Sequence, residues 1–197
     1  MQKYENSCDD TECRCCMTGI IEHAYMIVEY PDLTRCRKGK DFGQGFYVTT
    51  SREQAERFTK TSIKKAVFDG EISKNTNIGY VSKYRVSNID AVKMHVFEEA
   101  NAEWLHCVVA HRKKNIMQEE IAKWKDFDII CGKIANDNTN LVLTAYMDGV
   151  YGDVGSERAD KIAIDFLEPE NLKDQFCFRT KQALDLLEYI GNESVIL

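Results

Sequence analysis

Hydrophobic and polar residues alternate along this chain with two different periods. Apolar side chains three or four residues apart predict helices that begin at positions 51, 98, 117, 139, 157 and 181. Short runs of β-branched and aromatic residues predict strands at 25–29, 46–50, 64–68, 79–86, 91–97, 127–131 and 176–179. The predicted strands are interleaved with helices of irregular length, which indicates the α+β class and not a regular βαβ array.

The segment 40–55 has the most distinctive local pattern. Gly43 and Gly45 bracket a turn, because glycine permits conformations and close approaches that a Cβ forbids. Tyr47 lies within the short strand that follows, and Ser51, with a glutamine three residues later, forms a capping box that begins a helix. An aromatic ring beside glycine backbone suits a flat ligand, which can stack on the ring while its polar edge hydrogen-bonds to backbone groups.

Composition narrows the class of protein. The chain has 197 residues, of which 44% are hydrophobic and 29% charged, as in one ordinary globular domain. No apolar stretch approaches the ~20 residues of a membrane span, and the first residues lack the apolar core of a signal peptide. We therefore expect a cytoplasmic protein without a membrane partner. The net charge of −6 argues against non-specific binding to nucleic acid.

Eight cysteines are many for a chain without a secretory signal. Four lie between positions 8 and 16, but their spacing does not match the Cys-x-x-Cys pairs of structural metal sites, so no metal is predicted. We expect residues 1–16 to be a flexible Cys-rich tail, or to precede a true initiator at Met17, and 17–197 to form one domain. The other four cysteines are predicted to be small buried side chains: Cys36, Cys107, Cys131 and Cys177.

The segment 40–55 resembles the second motif of the ADP-ribosyltransferase fold, in the branch of poly-ADP-ribose polymerases and diphtheria-type toxins. That motif is a Gly-x-Gly-aromatic-Tyr strand, then a serine, then a helix with small residues. The wider sequence, over roughly 20–190, is similar to the bacterial DUF3990 family placed in that superfamily. Further matching pieces lie at 22–25, 30–33, 127–132, 134–137 and 174–180. The resemblance implies a split two-sheet core with peripheral helices.

The resemblance also implies an activity, the cleavage of the nicotinamide–ribose bond of NAD with transfer of ADP-ribose to an acceptor. His23 and Gln175 match positions that hold the nicotinamide ribose, and Tyr47 matches the position whose ring stacks on nicotinamide. Ala24 stands where the family usually has a glycine whose backbone pairs with the carboxamide.

Gly45 and Ser51 accompany Tyr47 in the same motif and are assigned to the same NAD site. The acceptor is a protein, a nucleic acid or water.

One departure from the family pattern keeps two other functions open. The best-known transferases have a glutamate where this chain has Gln175, and an amide brings no charge to an oxocarbenium-like transition state. Gln175→Glu is therefore expected to speed nicotinamide release. The first alternative is a non-catalytic nucleotide-binding module. The second is an interaction protein on the same fold, such as one half of a toxin–antitoxin pair with a cognate antitoxin or immunity partner.

Other polar residues carry weaker signals. Asp174 is expected to face away from Gln175 on the same strand. Asn136 and Asp137 follow a buried strand. They belong either to a functional loop or to an Asx turn that only shapes the loop. Three further charged residues are candidates for phosphate or substrate contacts: Arg37, Asp41 and Arg85. The basic run 111–114 is interpreted as a solvated helix end, since cations favour helix C-termini.

Overall fold

The computed structural model describes residues 16–19, 25–134, 137–168 and 172–197, with the backbone alone at 16–19, 137 and 138. Within these residues the strands are β1 Cys16–Gly19, β2 Phe46–Thr49, β3 Ile78–Val86, β4 Met94–Val96, β5 Ile129–Lys133, β6 Asp174–Phe178 and β7 Leu187–Ile196. The helices are α1 Arg52–Phe68, α2 Ala102–Arg112, α3 Gln118–Trp124, α4 Asp137–Met147, α5 Glu157–Leu167 and α6 Lys181–Leu184. The α+β class is confirmed.

Hydrogen-bonded ladders link the seven described strands in the order β4-β5-β6-β2-β1-β3-β7. All neighbours are antiparallel except β4 and β5. Among the described residues, β1 and β2 pair at Thr18 with Thr49 and at Gly19 with Val48.

The two faces of β2 contribute to different hydrophobic clusters. Phe46 and Val48 pack with Tyr84 on one face, where the Phe46 and Tyr84 rings meet edge to face at 5.5 Å. Tyr47 packs against the larger cluster on the other face, which includes Trp104 of α2. Phe46 and Tyr47 therefore point to opposite faces, because side chains alternate along a strand.

Three predicted elements differ from the structure. Residues 64–68 are not a strand but the last turns of α1, because the buried stripe of Ala55, Thr59, Ile63 and Ala66 continues at helical spacing. Residues 25–29 form turns and bends and not a strand.

The third is the helix that the pattern predicts from position 181 to 190, which is wrong beyond its first turn. α6 ends at Leu184, and the chain then extends as β7 along β3. Gly191 lies in β7 with a φ of 134°, close to the point where the register of the β3–β7 ladder shifts. Pairing with β3 outweighs the helical pattern, because nine ladder positions are formed there.

Within the described part of the chain, no helix is long and apolar enough to cross a membrane.

Candidate functional site

A cavity of about 520 Å³ opens beside β2, between the segment 26–47 and the ends of α2 and β6. One part of its lining is apolar and includes Met26, Val28, Phe46, Tyr47 and Phe58. This volume lies in the range of small-molecule sites, which are mostly apolar with a few convergent polar groups.

Tyr47 lines this cavity and is half-buried, and its hydroxyl is hydrogen-bonded on both its donor and acceptor sides. The hydroxyl accepts a hydrogen bond from the Phe42 N–H at 2.9 Å and donates one to the Gly43 carbonyl at 2.8 Å. Burial raises the pKa of Tyr47 well above its ordinary value, and the nearby Cys177 acts in the same direction. The hydroxyl therefore stays protonated and fixes the loop before β2.

The two glycines of the loop are required by packing. Gly43 has a φ of +83°, and a Cβ there would lie 2.6 Å from Cδ2 of His111. A Cβ on Gly45 would lie 2.4 Å from Sγ of Cys177 and 2.8 Å from the carbonyl oxygen of Phe178. Gly45 lines the cavity, but its main effect is to let the start of β2 approach β6 closely.

Gln175 lies on the same sheet face as Tyr47. Tyr47 pairs with Cys177 across the β2–β6 ladder, and Gln175 is two residues before Cys177, so the three side chains point the same way. Gln175 is 3% exposed and lines the cavity. The neighbouring Asp174 is exposed and pairs with Lys133 at 2.9 Å. The prediction that Asp174 faces away from Gln175 is confirmed.

A buried charge network holds Gln175 in place. Its Nε2 donates to Oδ2 of Asp41 at 2.7 Å, and Nε of Arg112 donates to Oδ1 of the same carboxylate at 2.7 Å. Nη1 of Arg112 donates to Oδ1 of Asn140 at 2.8 Å. The side chains of Asp41 and Arg112 are 7% and 18% exposed. Charge-assisted hydrogen bonds of this kind are short and about twice as strong as those between neutral groups, which offsets part of the cost of burying the pair.

Cationic side chains lie around the cavity: Arg35, Arg37, Lys40 and Arg112. Arg35 is 3.9 Å from a carboxylate oxygen of Asp32, and Arg37 is 3.8 Å from one of Glu71. Exposed ion pairs at such distances contribute little free energy, so an anionic ligand can compete for these cations. Asp32 also lines the cavity and makes the rim mixed in sign.

Comparison with protein-family models matches residues 21–189 to a family described as "Protein of unknown function (DUF3990)". The chain belongs to the DUF3990 family. Searches of curated proteins and of solved structures gave no match for this DUF3990 chain.

The structure brings only some of the predicted site residues of this DUF3990 protein together. Gly45, Tyr47 and Gln175 line one cavity. His23, Ala24 and Asn136 lie outside the described residues, as do the cysteines at 8, 13 and 15. Asp137 begins α4, with its side chain not described.

Ser51 has a structural contact at the start of α1. Its hydroxyl accepts a hydrogen bond from the Gln54 N–H at 3.3 Å, which confirms the N-cap. The second half of the predicted capping box is not formed, because the Ser51 N–H donates to Oγ1 of Thr49 at 3.1 Å. Ser51 is not among the described residues that line the cavity.

Arg112 is the residue of the DUF3990 site that the sequence did not indicate. The basic run 111–114 was expected to be a solvated helix end, and for this residue the expectation is wrong, because its guanidinium is buried against Asp41. Asp41 was a candidate only as a possible phosphate contact, whereas it contacts Arg112 and Gln175. Arg85 lies away from the cavity lining and pairs with Glu188 at 3.3 Å. The ion pair joins residues 71 positions apart, so no local pattern points to it.

Three of the four domain cysteines are buried free thiols, as expected: Cys107, Cys131 and Cys177. Burial raises the pKa of Cys131 and of Cys177 to about 12, so both are neutral at physiological pH. Cys36 is only partly buried and lines the cavity. Among the described residues, no group of three His, Cys, Asp or Glu side chains converges to hold a metal ion.

Proposed function

We propose that this DUF3990 protein is an NAD-dependent, ADP-ribosyltransferase-like enzyme that cleaves the nicotinamide–ribose bond and transfers ADP-ribose to an acceptor. The observation that carries the proposal is the convergence of Tyr47, Gly45 and Gln175 on one cavity with a cationic rim. The family resemblance assigns four of the described residues to the NAD site. These three line the cavity, and the fourth, Ser51, caps α1.

The shape and chemistry of the cavity suit a ligand with an aromatic ring and negative charges. The ring of Tyr47 offers a stacking surface for nicotinamide. The cations Arg35, Arg37 and Lys40 line the same cavity and can bind the pyrophosphate of a dinucleotide. Gln175 supplies an amide that can hydrogen-bond a ribose hydroxyl.

The proposed reaction breaks the C–N bond between ribose and nicotinamide. Nicotinamide leaves with the bonding electron pair, the ribose becomes oxocarbenium-like, and an acceptor nucleophile or water attacks its anomeric carbon and loses a proton. Groups that hold the ribose and the leaving ring in place accelerate such a step by orientation, and negative charge near the ribose stabilises the transition state.

A second function is favoured by one specific observation. The amide of Gln175 is neutral, and the nearby carboxylate of Asp41 already pairs with Arg112. A site with this charge balance could bind NAD without turning it over, as a nucleotide-binding module.

Binding and turnover separate these two functions. Calorimetric titration with NAD should give 1:1 binding, and chromatography of the mixture should show slow release of nicotinamide. Arg35→Glu should weaken NAD binding at least about tenfold, because one cation at the rim becomes an anion. Arg57→Glu is the matched control, since Arg57 is similarly exposed and ion-paired but does not line the cavity.

Binding without nicotinamide release would favour the nucleotide-binding module over the enzyme. No binding at millimolar NAD, or an equal effect of the Arg35 and Arg57 substitutions, would contradict both functions.

A further inference from the structure

The side-chain amide of Gln175 has a defined orientation for a chemical reason. Oxygen and nitrogen of a terminal amide are assigned from their hydrogen-bond partners. Here one end of the amide meets Oδ2 of Asp41 at 2.7 Å and the carbonyl oxygen of Lys133 at 3.5 Å. An ionised carboxylate and a carbonyl can only accept, so this end must be the NH₂ group.

Asp41 can impose this orientation because it is itself fixed. One carboxylate oxygen, Oδ1, is taken by Arg112, and the other, Oδ2, by Gln175. Arg112 in turn is anchored to Asn140 of α4. The charge network therefore connects four parts of the fold: α4, the end of α2, the loop before β2 and the start of β6. Its members are part-buried or buried, except at Asn140.

We propose that Asp41 is a positioning residue, which holds the NH₂ group of Gln175 and so leaves the amide oxygen to accept a hydrogen bond from a ligand in the cavity that both residues line. This inference rests on the proposed function, in which that oxygen accepts a hydrogen bond from a ribose hydroxyl. The carboxylate behind the amide polarises it and makes its oxygen a better acceptor. Polarisation of the amide thus offsets part of the charge that Gln175 lacks, although Asp41 itself is paired with Arg112.

This arrangement reverses the effect expected for a glutamate at position 175. Gln175→Glu would bring two carboxylates within hydrogen-bond distance of each other in a buried place, and such a pair cannot ionise both members. The substitution should therefore slow nicotinamide release, where the sequence alone suggested a gain.

A swap of the two groups tests the proposal. Asp41→Asn, Gln175→Glu and the double variant Asp41→Asn/Gln175→Glu are compared with the wild type. In the double variant an amide again donates to a carboxylate, and the total charge beside Arg112 is unchanged. The melting temperature of Gln175→Glu should fall relative to wild type as the pH rises from 5 to 8, because a raised carboxyl pKa in the folded state makes stability fall with rising pH. The double variant should lose this pH dependence.

Kinetics separate positioning from mere stability. At a temperature where all variants are folded, Asp41→Asn should lower kcat for nicotinamide release about tenfold, with KM for NAD changed less than about threefold, since the effect acts mainly in the transition state. The double variant should recover kcat above either single variant. If Asp41→Asn does not fold, Arg112→Lys serves as the second variant. It keeps the positive charge but loses the planar guanidinium that hydrogen-bonds Asp41, and it should also lower kcat.

An unchanged kcat in Asp41→Asn, or a double variant no better than its singles in both kcat and pH dependence, would overturn the positioning role alone. A wild type that neither binds NAD nor releases nicotinamide would overturn the proposed function and this role together.

Discussion

Removing the hydroxyl of Tyr47 tests whether the tyrosine holds its own loop. Tyr47→Phe keeps the ring but deletes the partner of the Phe42 N–H and of the Gly43 carbonyl, at 2.9 and 2.8 Å. A buried backbone group left without a partner costs about 1–3 kcal/mol. Because the loop can relax and admit water, we expect a loss of about 2 kcal/mol in the free energy of unfolding. For a chain of this size this corresponds to a fall of about 4–8 °C in melting temperature.

Urea unfolding followed by circular dichroism measures this loss directly. Tyr80→Phe is the matched control, because the Tyr80 hydroxyl makes no hydrogen bond to any other described residue and Tyr80 lies on β3, away from the cavity. The control should change the free energy of unfolding by less than about 0.5 kcal/mol. A loss of that size or smaller in Tyr47→Phe as well would refute the view that the hydroxyl fixes the loop before β2.

Two further predictions follow from contacts around the same loop. Gly45→Ala should lower the free energy of unfolding by about 1–3 kcal/mol, since the added Cβ would lie 2.4 Å from Sγ of Cys177; a melting temperature equal to that of wild type would contradict the close approach of β2 to β6. Burial lowers the pKa of His111 in the folded state, so the unfolded chain binds the proton more readily and stability should fall as the pH drops through about 6.5. Comparing the loss of melting temperature between pH 7.5 and pH 5 in wild type and His111→Gln checks this, and an equal loss in both would count against it.

Local patterns were sufficient for several elements of the fold. α5 begins at Glu157 and ends at Leu167, and Ser156 caps it. The helical spacing of Ala159, Ile162, Ala163 and Phe166 predicts this helix, although Phe166 is exposed. β3 and β5 also lie where their composition places them, within two residues. In these segments the local preference and the tertiary environment agree.

The elements that could not be predicted depend on distant partners. Residues 187–190 have apolar spacing compatible with a helix, but they extend because β3 provides a ladder for them. Residues 64–68 contain strand-forming side chains, but they complete a helix whose buried stripe begins at Ala55. Single-sequence patterns do not record such partners, so tertiary context overrides propensity there.

The candidate site divides in the same way. Tyr47 and Gln175 were found through the family motif, and their common face follows from the pairing of β2 with β6. The ion pair between Asp41 and Arg112 could not be predicted from the sequence, because the loop and the helix end that carry these residues meet only in the folded chain. A buried basic residue at a helix C-terminus has the same sequence signal as a solvated one.

A crystal structure of the full chain soaked with nicotinamide shows whether the ring binds beside β2. We expect density for the ring in this cavity, stacked on Tyr47 with ring centroids about 4.5–7 Å apart, and no such density in crystals of Tyr47→Leu. A cavity without ligand density at millimolar nicotinamide, or a ring bound elsewhere on the protein, would contradict this expectation.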